Sequence, residues 1–138
     1  MASIAFAVQK AVHALLSVEL ASLQATGMTA PGVPVLDHAP QGQPYPYVRF
    51  GRKLTTADNL LAEKMGRVQV SLTVFSDFRG QEQVDEILAA IEAVLDDAVL
   101  VLDAGTAVRC DLERSDTTPD TDGVTYMGSA LYAVLVTA

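Results

Sequence analysis

Apolar residues recur at intervals of three and four over two stretches of the chain and alternate with polar residues over several others. From Ser3 to about Gln24, the residues Ile4, Val8, Val12, Leu15, Leu16, Leu20 and Leu23 form one wide stripe, which predicts a helix with Ser3 as its cap and Gly27 as its stop. "GQEQVDEILAAIEAVLDD", residues 80–97, repeats the pattern with Val84, Ile87, Leu88, Ile91, Val94 and Leu95. Gly80 and an acidic first turn suit the start of this second helix. In "GRVQVSLTVFSD", residues 66–77, the period falls to two. Val68, Val70, Leu72 and Val74 share one face of a strand, and Gln69, Ser71, Thr73 and Phe75 share the other.

"YVRFG" at 47–51, "TAVRCDLERSD" at 106–116 and "TYMGSALYAVLV" at 125–136 read as three further strands, the last two joined by the turn-forming "TTPDTDG". The segment 52–65, "RKLTTADNLLAEKM", reads as a charged, mobile connection that makes a long tip on a hairpin. Five of the six prolines fall in "TGMTAPGVPVLDHAPQGQPYP", residues 26–46, which must therefore be a connecting arm with at most a short extended piece at Val33 to Leu36. The order helix, strand, strand, helix, strand, strand predicts an α+β fold: two helices packed on one face of a mainly antiparallel four-stranded sheet, in a single domain spanning 1–138.

Two helices of this length cover one face of four strands and leave the other open. The closing strand is nevertheless apolar on both sides, with Met127, Leu131 and Leu135 on one and Tyr126, Tyr132, Val134 and Val136 on the other. An uncovered face that joins these residues to Gln69, Ser71, Thr73 and Phe75 is the kind of patch that marks an interaction site. The expected cover is another subunit; the alternative is that the arm at 28–46 folds across it.

Half of the residues are apolar and 19% are charged, the composition of a folded soluble domain, while Lys10, His13 and Glu19 interrupt the apolar N-terminus too often for a membrane span. No basic region precedes Ile4 to Val8 and Lys10 falls where a signal core would lie, so export through a signal peptide is not expected and synthesis is placed in a cytoplasm. The net charge of −8 argues against a protein that grips nucleic acid. Arg49, Arg52, Lys53, Lys64 and Arg67 are nevertheless five of the nine basic residues, whereas 77–122 holds thirteen acids against Arg79, Arg109 and Arg114. The basic segment suits contact with an acidic neighbouring surface, ahead of nucleic acid.

Catalytic chemistry finds little support. Cys110 is the sole cysteine and shares a strand face with Val108 and Leu112, which suits a buried thiol. His13 and His38 are too few for a metal cluster or a triad. "DTTPDTDG" lacks the calcium-loop pattern, having Thr118 and Ser129 where ligands are required, and reads as a hairpin turn. Asp96, Asp97 and Asp103 read as a solvated helix end, and the glycine spacing offers neither a P-loop nor a dinucleotide fingerprint. No cofactor, metal or enzyme activity is expected.

Three stretches together resemble one family. "PYPYVRFG" at 44–51, "GRVQVSLTVFSDFRGQEQVDEILAAIEAVL" at 66–95 and "DGVTYMGSALYAVLV" at 122–136 are similar to the entry strand, the glycine, strand and long helix, and the closing strand of bacteriophage tail-terminator or tail-completion proteins, a family shared with gene transfer agents. The resemblance spans about residues 7–136; Phe75 stands where a tryptophan is frequent, and the arm at 26–33 is longer than usual. It implies a structural virion protein, commonly a hexameric ring, that caps the head-proximal end of the tail tube and stops its growth. Its implied partners are copies of itself, the tail tube protein and the head connector or neck protein. DNA would pass through an acidic lumen unheld, at the head–tail junction of a particle assembled in the host cytoplasm. The residues expected at subunit, tail or neck contacts are Arg49, Arg52, Lys53, Lys64, Arg67, Gln69, Ser71, Thr73 and Phe75. The readings kept beside this one are another neck or tail-joining protein and a ligand-binding regulatory α+β domain.

Overall fold

A computed structural model describes residues 4–38, 40–58, 65–98, 100–102, 106–119 and 125–137. Its elements in chain order are α1 (Ile4–Leu20), β1 (Val35–Leu36), β2 (Tyr47–Asp58), β3 (Met65–Ser76), α2 (Glu82–Leu95), β4 (Thr106–Pro119) and β5 (Tyr126–Thr137). The strands form one sheet in the order β1-β2-β3-β5-β4, with β1 parallel to β2 and every other pair antiparallel. The architecture is α+β, but the sheet is mixed and five-stranded where four antiparallel strands were expected. The added strand is two residues long, too short to carry any period, and is held at the edge by the Val48 N–H donating to the Pro34 carbonyl at 2.9 Å. His13 on α1 donates its Nε2–H to the Val35 carbonyl at 3.0 Å, so a helix side chain also secures it.

Val8, Val12, Leu16 and Leu20 of α1, together with Val84, Ile87, Ile91 and Leu95 of α2, pack against Val68, Val70, Leu72 and Val74 of β3 and Tyr132, Val134 and Val136 of β5. Cys110 is fully buried in the same core, as its strand face implied. The contact between α2 and β5 is closest at Gly128, where a Cβ would lie 2.4 Å from Val84 Cγ1 and 2.7 Å from Leu88 Cδ1.

Three segments depart from the sequence reading. The first helix ends at Leu20 rather than near Gln24, where the arm returns to it: Val33 N–H donates to the last helical carbonyl, Leu20 O, and Gly32 N–H to Leu23 O just beyond. β2 runs on to Asp58 where a charged connection at 52–65 was expected. Its continuation is a strand because Lys53, Leu54, Thr55 and Thr56 pair with Val70, Gln69, Val68 and Arg67, after a bulge at Gly51 and Arg52 that places two residues opposite Ser71. Of the expected tip, 59–64 lies outside the described residues. Asp96 and Asp97 are not simply solvated. Asp97 adopts a left-handed backbone (φ 61) and its N–H donates to the Cys110 carbonyl at 2.8 Å, while Asp96 Oδ1 accepts from Leu112 N–H at 3.2 Å. The end of α2 thereby caps part of the β4 edge. Asp103 and the turn at 120–123 lie outside the described residues.

The arm is bonded to the helix ends. Gln83, buried on α2, donates to the Thr26 carbonyl at 2.9 Å and accepts from the buried Ser76 hydroxyl; the Thr26 N–H donates to Glu86 Oε2 at 2.6 Å. Gly27 (φ 87) lies against the Phe78 ring, where a Cβ would come within 2.3 Å.

Candidate assembly surface

Both helices lie on one side of the sheet, and the register fixes what stands on the other. Arg67, Gln69, Ser71, Thr73 and Phe75 of β3 lie directly across from Leu135, Ala133, Leu131, Ser129 and Met127 of β5. On the flanks are Tyr47, Arg49, Leu54 and Thr56 of β2 and Arg109, Asp111, Arg114 and Asp116 of β4. Gln69, Ser71, Thr73 and Phe75 are each half-buried, alternating with the buried Val68, Val70, Leu72 and Val74. The middle of the face, 69–75 on β3 and 127–135 on β5, is small, polar and apolar while its margins are charged; Leu54 is 43% exposed, and among the described residues no helix covers the face. The described part of the arm meets it at one end. Its hydrogen bonds run to α1, α2 and the edge of β2, and residues 40–45 share a cavity with Tyr47 and Arg49, the Tyr45 ring lying 5.6 Å from that of Tyr47.

The nine residues singled out in the sequence divide between locations. Arg49 is exposed with its guanidinium 5.1 Å over the Phe75 ring, which in turn stacks on Tyr47 at 5.0 Å and 21°. Burial raises the Tyr47 phenol above its ordinary pKa, Tyr45 raises it further and Arg49 opposes the shift. Arg67 is ion-paired to Glu113, whose other oxygen accepts from Gln69 Nε2 at 3.0 Å. Glu113 thus reaches from β4 across the small Ala133 to β3, and Arg67 is already partnered within its own chain. Ser71 and Thr73 continue the half-buried row. Arg52 is exposed in the bulge. Lys53 lies on the helix side, where it donates to the buried Gln9 side chain and approaches the Phe6 ring at 5.8 Å. Lys64 lies outside the described residues. The basic segment is therefore no single patch, since the bulge and the strand alternation send its members to both sides.

Glu113, Tyr45, Tyr47 and Leu54 belong to this surface and were missed. The tyrosines on either side of Pro46, at the entry to a strand, were the one available signal; Glu113 gave none, because its role depends on a second bulge between Leu112 and Arg114. The charges on this face nearly balance, with Arg109 hydrogen-bonded to Asp111 at 2.9 Å.

Chemically the surface is built for contact. The Cys110 thiol is buried away from it, and burial with Asp111 and Asp96 nearby pushes it up to about 11, so it is protonated at neutral pH. Among the described residues no cluster of three or more histidine, cysteine or acidic side chains could hold a metal ion, and no helix is long and apolar enough to cross a membrane.

A chain from a solved structure described as the virion of a native gene transfer agent (GTA) particle shares this fold, with a TM-score of 0.82 over 100% of both chains at 21% identity. No curated protein matches the chain. The family model for tail completion protein gp17 matches residues 10–137, both helices and all five strands except for the first turns of α1. Matched by that model over nearly its whole length, the chain belongs to the tail completion protein gp17 family of phage tail proteins.

Proposed function

We propose that the chain is a non-enzymatic tail terminator: copies close into a ring, commonly of six in such proteins, that caps the head-proximal end of the tail tube, ends its polymerisation and receives the head connector. The observation that carries this reading is the open face of β2, β3, β5 and β4. From Gln69 to Phe75 on β3 and from Met127 to Leu135 on β5 its side chains carry no charge and include Phe75, Met127, Leu131 and Leu135, and among the described residues no helix covers them. A closed ring suits such a surface because each copy can offer one side of itself to a different side of the next. A net charge of −8 suits an acidic lumen that would let DNA slide past without being held. Assembly would take place in the host cytoplasm, and the finished ring would sit at the head–tail junction without any cofactor or membrane contact.

The test is electron microscopy and mass photometry of the purified protein, with tail tube subunits then added. Annular particles that halt tube growth at one end are expected. A strict monomer at high micromolar concentration would overturn the proposal, and a ring that binds the connector but leaves tube growth untouched would assign it to a neck position instead.

A further inference from the structure

Tyr132 is the one described residue with a buried side-chain polar atom that has no hydrogen-bond partner: the side chain is 1% exposed and its hydroxyl is unpaired. A buried hydroxyl left in that state is costly, which makes it a pointer to a partner that arrives from outside the chain. The ring lines a cleft of about 520 Å³ between α2 and β4, at the outer edge of the sheet. Glu92 and Asp85 stand on the helical wall, and Ser115 and Thr117 on the strand wall. Asp85 is engaged by the Thr117 hydroxyl at 2.7 Å, whereas Glu92 is exposed; burial first, and then the Glu92 carboxylate, disfavours ionisation of the phenol. No basic residue lines the cleft. The site combines a free carboxylate, an unpartnered phenol oxygen and a serine hydroxyl, all able to accept from one cationic donor with several N–H groups. This is the donor set of a guanidinium.

The occupant has to come from a place that a second copy can bring to this edge. A contact between like edges makes a two-fold pair, whereas a ring needs the opposite edge. Arg114 shares the β4 edge with the cleft, and Arg109 is paired with Asp111. Arg52 lies at the other side of the sheet, exposed in the β2 bulge and beyond the short β1, which covers only Val48 and Arg49. We infer that the α2–β4 cleft is the receptor for Arg52 of the next copy, with the guanidinium paired to Glu92 and reaching the buried Tyr132 hydroxyl as the side chains over it part. The inference rests on the ring reading above and names its register-setting contact.

Charge reversal and exchange test it by mass photometry and sedimentation of the full chain. Arg52→Glu and Glu92→Lys are each expected to weaken assembly by more than about tenfold, as close charge pairs at interfaces do, and the two combined in one chain to restore most of it. Tyr132→Phe should leave the monomer's melting temperature unchanged or raised, because it deletes an unsatisfied buried group, yet weaken assembly severalfold. Rings of wild-type strength from Arg52→Glu, or a double variant as impaired as the worse single one, would overturn this contact alone. Wild-type protein that never leaves the monomer would overturn the ring and the contact together.

Discussion

At the scale of single residues, two glycines and one cysteine set limits that measurement can check. Gly128 brings β5 against α2 so closely that Gly128→Ala forces Val84 and Leu88 apart; a loss of about 1–3 kcal/mol in chemical denaturation is expected, the usual cost of overpacking. Gly27→Ala should cost at least as much, since it adds strain at φ 87 to a clash with the Phe78 ring. Cys110 has a thiol whose folded-state pKa is raised from the ordinary 9.0 to about 11, so the folded state holds that proton more tightly than the unfolded chain does. Its contribution to stability is complete below pH 9 and is lost as the pH climbs through 11; the raised Tyr132 phenol acts in the same direction. Denaturation midpoints measured from pH 8 to 11 should fall across that window, and Cys110→Ala should flatten the fall while alkylation of native wild-type protein at pH 8 stays slow.

At the scale of elements, long periods were legible and short or interrupted ones were not. The stripes of α1 and α2 and the alternation of β3 and β5 show in the residues because each repeats several times on a buried face. β1 has two residues and no repeat. Beyond Phe50, β2 loses its simple alternation at the bulge, so Lys53 and Leu54 look like loop residues although both are paired. Hydrogen exchange checks this difference: amides in 53–56 that bond to β3 should exchange slowly, where a mobile connection would exchange at once. The arm is a second case, held by side chains rather than by any pattern. Gln83→Ala leaves the Ser76 hydroxyl and the Thr26 carbonyl without their partner, and should cost about 1–3 kcal/mol and open the 26–34 segment to proteases.

At the scale of the whole molecule, the open face separates stability from assembly. Leu131→Glu places a carboxylate on that face beside Arg114, away from the core. The monomer should keep its fold to within about 1 kcal/mol while the association expected of the wild type disappears in light scattering. The face itself was legible from the two-sided apolar pattern of β5 and the uncharged row of β3. The division of the basic segment was not, because it depends on which way a strand emerges from an irregular pair. That irregularity has an evolutionary consequence. Because the extra residue is absorbed locally, a chain one residue shorter at Gly51–Arg52 would lose the bulge yet still place Lys53 opposite Val70 on the helix side and Leu54 outward. Descendants should therefore tolerate the loss of a single residue here, whereas the same loss within the regularly paired 47–50 or 53–56 would exchange the faces of the residues beyond it.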